Sequence, residues 1–160
     1  MKWRLRSTDF KRMDRSERAR GLMSLVAGDT PVGILAYSNA VPVGWCSIAP
    51  RISYRGLRKS TERGQVEDAR VWSVVCFFVD IRWRRKGISL RLLRAAVEYA
   101  RMAGAKIVEG YPADPGARHQ LQRGSLSTFR KAGFRDVTPP GSRNAARSGR
   151  RQRIVQNVIG

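Results

Sequence analysis

Arg84, Arg85, Lys86 and Gly87 follow one another between an apolar run and an amphipathic one, and that arrangement suits the binding of a phosphate. The run reads VWSVVCFFV and ends at Val79; DIRWRRKG follows, and then ISLRLLRAAVEYARMAG. Rich in Val and Phe and without polar alternation, the run predicts a strand buried on both faces. After Gly87, Leu92, Leu93, Ala96, Val97 and Ala100 share one helical face, and Arg91, Arg94, Glu98 and Arg101 share the other. At the start of such a helix the first N–H groups lack partners and the macrodipole is positive, while glycine lets the backbone approach an anion closely. The plain alternative is a strand, a solvated basic turn and a helix. Neither GxGxxG nor GxxxxGK[ST] occurs, which weakens the rival phosphate-loop readings.

The elements that must hold this turn can be read on either side of it. Ala19, Leu22, Met23 and Val26 recur at helical spacing over residues 15–26, with Asp14 or Ser16 as the cap and Gly28–Pro31 as the stop. Val32–Tyr37 and Val41–Ala49 read as a hairpin around Ser38–Ala40. Residues 51–70 are polar and weakly patterned, suggesting a lid or a short helix. Ala105–Tyr111 (AKIVEGY) predicts a second buried strand, which makes strand, helix and strand a right-handed βαβ unit. A loop over 112–124, a short helix over 125–132, a strand over 134–137, a solvated excursion over 139–152 and a last strand over 153–159 complete the order. Residues 1–14 carry little pattern.

At 160 residues and 42% apolar, the chain fits one domain with a real core. No apolar run approaches the roughly 18 residues of a membrane span, and the basic N-terminus has no secretory apolar region, so the cytoplasm is the expected compartment. Cys46 and Cys76 lie in strand-like contexts and read as buried free thiols. The net charge of +20 favours polyanions such as nucleic acid, anionic membrane or a polyphosphate cofactor. Its spread from Lys2 to Arg153 argues against one compact nucleic-acid patch.

The run Arg84-Arg85-Lys86-Gly87-Ile88-Ser89 resembles the Arg/Gln-x-x-Gly-x-Gly/Ala loop of the GCN5-related N-acetyltransferases, with Ser89 in place of the last small residue. Ser127-Thr128-Phe129-Arg130-Lys131-Ala132-Gly133-Phe134 is similar to the helix that in that family reads Leu-Tyr-x-Lys-x-Gly-Phe. The segments PVGWCSIAPR and VEGYP look like a bacterial branch whose acceptors are mostly undefined. The resemblance covers roughly residues 27–158, as a single domain 1–160 in which the usual first strand and helix are missing or remodelled.

That resemblance implies a mixed, mostly antiparallel α/β sheet flanked by helices around a β-α-β core. It also implies an acetyl-CoA-dependent N-acetyltransferase, with no metal, acting by direct attack of a primary amine in a ternary complex. The amides from Arg85 to Ser89, Ile88 among them, would take the pyrophosphate, and Arg84, Arg85 and Lys86 would add charge. The pantetheine arm would lie along Phe77, Phe78 and Val79, with a strand amide near Phe78 facing the thioester oxygen. Ser125 and Phe129 would border the cofactor. The helix tyrosine that protonates the leaving thiolate in many members is here Phe129, so a non-catalytic acyl-CoA-binding relative is the first alternative and a basic nucleic-acid-binding module the second. The acceptor would be a small-molecule or protein amine, and a homodimer is one expectation.

Few residues could replace the tyrosine. Glu109 is a candidate base and Tyr111, on the same strand face, a candidate acid. Against these stand an ion pair with an arginine and a core aromatic. Ser125 and Ser127 are cofactor contacts or helix caps. Cys76 is a reactive thiol or strand core. His119 sits in a polar loop, and Glu67 and Asp68 either recruit a cationic acceptor or are solvated.

Overall fold

A computed structural model of the chain describes residues 2–28, 30–60, 70–114, 120–138 and 153–159. Two helices come first, α1 (Ser7–Arg12) and α2 (Arg15–Ala27). Asp14 caps α2 by accepting from the Glu17 N–H, while the Glu17 carboxylate accepts from the Asp14 N–H, a reciprocal box that satisfies two otherwise orphaned donors. Next come the hairpin β1 (Ile34–Ser38) and β2 (Val41–Pro50), turning through Asn39 and Ala40, both at positive φ. Then follow β3 (Val71–Val79), α3 (Ile88–Met102), β4 (Ile107–Gly110), α4 (Gln120–Arg123), α5 (Leu126–Lys131), β5 (Arg135–Asp136) and β6 (Val155–Val158).

Among the described residues six strands form one sheet in the order β1-β2-β3-β4-β6-β5, and of these neighbours only β3 and β4 run parallel. This is the mixed, mostly antiparallel α/β architecture that the resemblance implies. On one face α3 lays Leu92, Leu93, Ala96 and Ala100 against Cys46, Ile48, Trp72, Val74 and Phe77. On the other face Ala49, Tyr54, Leu57, Val75 and Tyr111 form a second cluster that Trp3 closes. A strand covered on both faces needs no polar alternation, which is why VWSVVCFFV reads as continuous apolar sequence.

Three segments differ from expectation. Helix α1 forms where the sequence shows no period; Phe10 holds it to α2, its ring 4.1 Å beneath the Arg18 guanidinium and its carbonyl accepting from Arg18 Nη2. Helix α2 buries no residue, and Met23 and Val26 face solvent, so its apolar spacing does not mark a core face. A turn of helix, α4, interrupts the expected 112–124 loop and lies against β3. Part of the 51–70 segment, read as a lid or a short helix, forms 3-10 turns at Arg51–Ser53 and Arg55–Ser60. Glu67, Asp68, His119 and the excursion over 139–152 lie outside the described residues. Among the described residues no helix is long and apolar enough to cross a membrane.

Candidate active site

The site begins where β3 outruns its parallel neighbour. Val71, Trp72, Ser73 and Val74 pair with Ile107, Val108, Glu109 and Gly110, and there the pairing stops, while β3 continues to Val79. At the same place the β2–β3 ladder slips: Ser47 pairs with Cys76 and Ile48 with Val74, so Val75 bulges without a partner. The bulge brings Val75 and Cys76 to one face and Phe77 to the α3 face. Beyond it, the Asp80 N–H donates to the Val43 carbonyl at 2.9 Å. The alternation of an antiparallel ladder then turns the amides of Cys76, Phe78 and Asp80 towards β2, and those of Phe77 and Val79 towards the edge that β4 has left.

That edge leads to the basic turn. The Asp80 carboxylate caps a 3-10 turn, Ile81–Trp83, and pairs with Arg82, whose cationic group holds the Asp80 carboxyl below its ordinary value. Arg84 Nε donates to the Val79 carbonyl at 3.2 Å, and Lys86 Nζ sits 4.9 Å above the Trp83 ring. Arg85 and Gly87 both take positive φ, at 60° and 75°. Gly87 is the N-cap of α3; among the described residues no side chain caps that helix, and a β-carbon built on Gly87 would meet none of them within 4 Å. The first intrahelical bond runs from the Arg91 N–H to the Gly87 carbonyl, which leaves the amides of Ile88 and Ser89 free of helical partners. Unsatisfied N–H groups, the positive end of a 15-residue helix and open space together make an anion site.

Glu109 is buried and fully engaged. Its Oε1 accepts from Arg51 Nη1 at 3.1 Å and from Gln156 Nε2 at 2.8 Å, and its Oε2 accepts from Tyr111 Oη at 2.8 Å. Since Tyr111 spends its proton on Glu109, its oxygen accepts from Ser73 Oγ at 3.4 Å. Burial and the Glu109 charge push the Tyr111 phenol well above its ordinary value. The Trp3 ring stacks on Tyr111 at 6.5 Å.

Trp3 is also a wall of a cavity of about 110 Å³, lined further by Lys2, Arg4, Leu22, Trp45, Ser47, Tyr54, Val75, Cys76 and Gln122. It opens on the bulge, so the parted strands and the cavity meet at Val75 and Cys76. Desolvation raises the Cys76 thiol above its usual value.

Phe129 is wholly buried, edge-on to Phe77 at 6.0 Å and to Phe134 at 5.1 Å. Gly110 and Gly124 leave room for its ring, because a β-carbon on either would press on it. Ser125 caps α5, accepting from the Thr128 N–H at 3.2 Å, and its Oγ lies 2.8 Å from Ser127 Oγ. Phe78 is 56% exposed beside the edge that β4 has left.

The structure thus gathers Phe77, Phe78, Val79 and Arg84 to Ser89 along one course, from bulge to helix start; Phe129, expected to border the cofactor, is instead wholly buried beneath it against Phe77. Glu109 and Tyr111 lie on the cavity face behind Trp3. Sequence reasoning missed the cavity walls Lys2, Trp3, Arg4, Trp45 and Tyr54, which come from segments far apart in the chain; a Trp among basic residues at positions 2–4 is the one signal available. Among the described residues no three metal-ligating side chains cluster.

Solved structures share this fold. Aminoglycoside acetyltransferase AAC(6')-Ib, solved with coenzyme A, superposes with a TM-score of 0.62 at 18% identity, covering 98% of this chain and 86% of that one. The protein yncA of Salmonella typhimurium, solved with its cofactor acetyl-CoA, gives 0.59 at 14% identity over 92% and 75% of the two chains. Ribosomal-protein-alanine N-acetyltransferase of Brucella melitensis gives 0.58 at 18% identity over 91% and 79%. A comparison with curated proteins finds no match. The model of the GNAT acetyltransferase family matches residues 2–134, so the basic loop before α3 and the helix that carries Phe129 fall within one family pattern, and the chain belongs to the GNAT family of acetyltransferases.

Proposed function

We propose that the chain is an N-acetyltransferase that moves the acetyl group of acetyl-CoA to a primary amine within a ternary complex. The observation that carries this reading is the free edge of β3, which starts at the Val75 bulge and runs to the open Gly87 turn. Bound acetyl-CoA supplies a thioester, whose C–S bond breaks as the amine nitrogen bonds the carbonyl carbon, with CoA leaving as the thiol and the amine losing a proton.

The chain's residues fit that group. The amides of Ile88 and Ser89, with the charges of Arg84, Arg85 and Lys86, hold the diphosphate. Backbone groups of Phe77 and Val79 on the free edge receive the amide-bearing arm as a neighbouring strand would. The Phe77 N–H is the donor for charge developing on the thioester oxygen, since alternation commits the Phe78 N–H to β2. Glu109 and Tyr111, expected as base and acid, act here as positioning residues. Three donors hold the carboxylate, and the phenol is turned to Glu109 while its ring supports Trp3. The amine proton passes to water in the cavity.

A second reading, acyl-CoA binding without turnover, rests on Phe129, which has no hydroxyl to return a proton to the thiolate. Release of free thiol from acetyl-CoA across an amine panel tests both, with Gly87→Val as the control. Turnover with at least one amine, and a tenfold or greater loss of acetyl-CoA affinity in Gly87→Val, is the expected result. Tight binding without release transfers the case to the second reading. No affinity for acetyl-CoA, with steeply salt-dependent binding of nucleic acid instead, overturns both.

A further inference from the structure

The cavity that meets the bulge is cationic and aromatic. Among the described residues its charged lining is Lys2 and Arg4, with no carboxylate, and Trp3, Trp45 and Tyr54 are its aromatic walls. Arg4 is held in place: Nη2 donates to the Pro31 carbonyl at 2.7 Å and the guanidinium lies 4.7 Å over the Tyr54 ring. A third cation stands behind the same wall. The Arg123 guanidinium lies 5.8 Å from the Trp3 ring, Nε donates to the Tyr111 carbonyl, and among the described residues its buried Nη2 finds no partner. The nearest buried carboxylate, Glu109, is neutralised by Arg51 and faces Tyr111 and Gln156 rather than the cavity.

An amine enters this cavity against its charge, because a protonated amine meets Lys2 and Arg4 without a counter-ion among the described residues. A compensating anion on the amine's own skeleton removes that cost. We infer that the acceptor is a small primary amine that itself carries a carboxylate, as an amino acid does. Its anionic group is held by Arg4 and Lys2 and its side chain is packed by Trp3, Trp45 and Tyr54, with the nitrogen directed at the Val75–Cys76 bulge. The same lining disfavours polycationic amines. This inference rests on the acetyltransferase reading and names the acceptor class for it.

The test compares matched acceptors: phenylalanine and methionine, their amides, and the polycation kanamycin, each followed by thiol release from acetyl-CoA. The acids are expected to give at least tenfold higher kcat/KM than their amides, with kanamycin lowest. Arg4→Gln and Lys2→Gln should each shrink that ratio towards one through the KM for the acid. Lys2 is exposed, so its variant keeps the test alive if Arg4→Gln fails to fold.

A readout independent of turnover is alkylation at Cys76. Cys46 is fully buried, so Cys76 is the accessible one of the two thiols. The acids should slow its reaction with N-ethylmaleimide several-fold, and the amides should not. Turnover that favours amides or kanamycin, or is indifferent to charge, overturns this inference and leaves the acetyltransferase reading standing. No affinity for acetyl-CoA removes the acetyltransferase reading instead. Binding of acetyl-CoA without turnover, with equal Cys76 protection by acid and amide, also overturns the inference.

Discussion

Gly110 faces the Phe129 ring so closely that a β-carbon on it would lie 2.7 Å from the ring's Cζ and overlap its edge. Gly110 is also the last residue of β4 paired to β3, so the ring sits at the point where the strands separate. Alanine at 110 must displace either the ring or the strand. The expected cost is about 1–3 kcal/mol, the range for overpacking a close-packed core. Urea denaturation of Gly110→Ala at unchanged m-value measures it. A variant as stable as the parent would show that the ring has room to retreat.

Phe129→Tyr asks whether this chain can recover the proton donor that many relatives use. The ring is sealed among Phe77, Phe134, Gly110 and Gly124, so a para-hydroxyl enters apolar surroundings. Burying an unpaired hydroxyl costs about 1–3 kcal/mol. We expect lower stability and no faster thiol release. A rise in kcat would mean that the ring's para position reaches the thioester sulfur, and that the phenylalanine had removed the acid rather than repurposed the position.

Glu109→Gln separates ion pairing from catalysis. The substitution keeps the shape and leaves Arg51, 15% exposed in its side chain, beside a neutral amide. Losing one partner of a mostly buried pair costs about 3 kcal/mol. The double variant Glu109→Gln/Arg51→Met removes both halves of the pair and should recover part of that loss. The pH–rate profile of thiol release should keep its shape in Glu109→Gln. Loss of its acidic limb would restore Glu109 as the base.

What could be read in advance was local. Arg84 to Ser89 announce their turn because a buried strand, a glycine and an amphipathic helix follow in order, and each is a short-range pattern. The Asp14 cap and the Ser125 cap are legible for the same reason. Helix α1 was not, because a six-residue helix tied down by Arg18 on the Phe10 ring and carbonyl needs no apolar period. The bulge at Val75 was invisible too, since it arises from the register of β2 against β3, and VWSVVCFFV has the same composition with or without it. The cavity was the least accessible feature: Trp3, Trp45, Tyr54 and Cys76 come together only when the N-terminal segment crosses the sheet. Glu109 was readable as a buried carboxylate, but its partners Arg51 and Gln156 lie 58 and 47 residues away in sequence.

Tyr54 gives the cavity wall a pH signature. Burial pushes its phenol up to about 12, against smaller opposing effects from the Ser47 hydrogen bond and the Arg4 charge. Unfolded, a tyrosine titrates near its ordinary value of about 10. The folded state therefore holds the proton more tightly, and the stability this brings is complete below about pH 10 and is lost as pH climbs towards the folded value. Two units correspond to about 2–3 kcal/mol at most. Tyr54→Phe has no proton to lose and gives up the 3.1 Å contact with Ser47 Oγ, so it should be the less stable protein at pH 8. Urea midpoints for the two proteins should then converge between pH 10 and 11.5 as the parent alone pays the ionisation cost. A gap that stays constant across that window would mean that the Tyr54 phenol ionises as readily folded as unfolded, and that Arg4 rather than burial sets the electrostatics of the wall.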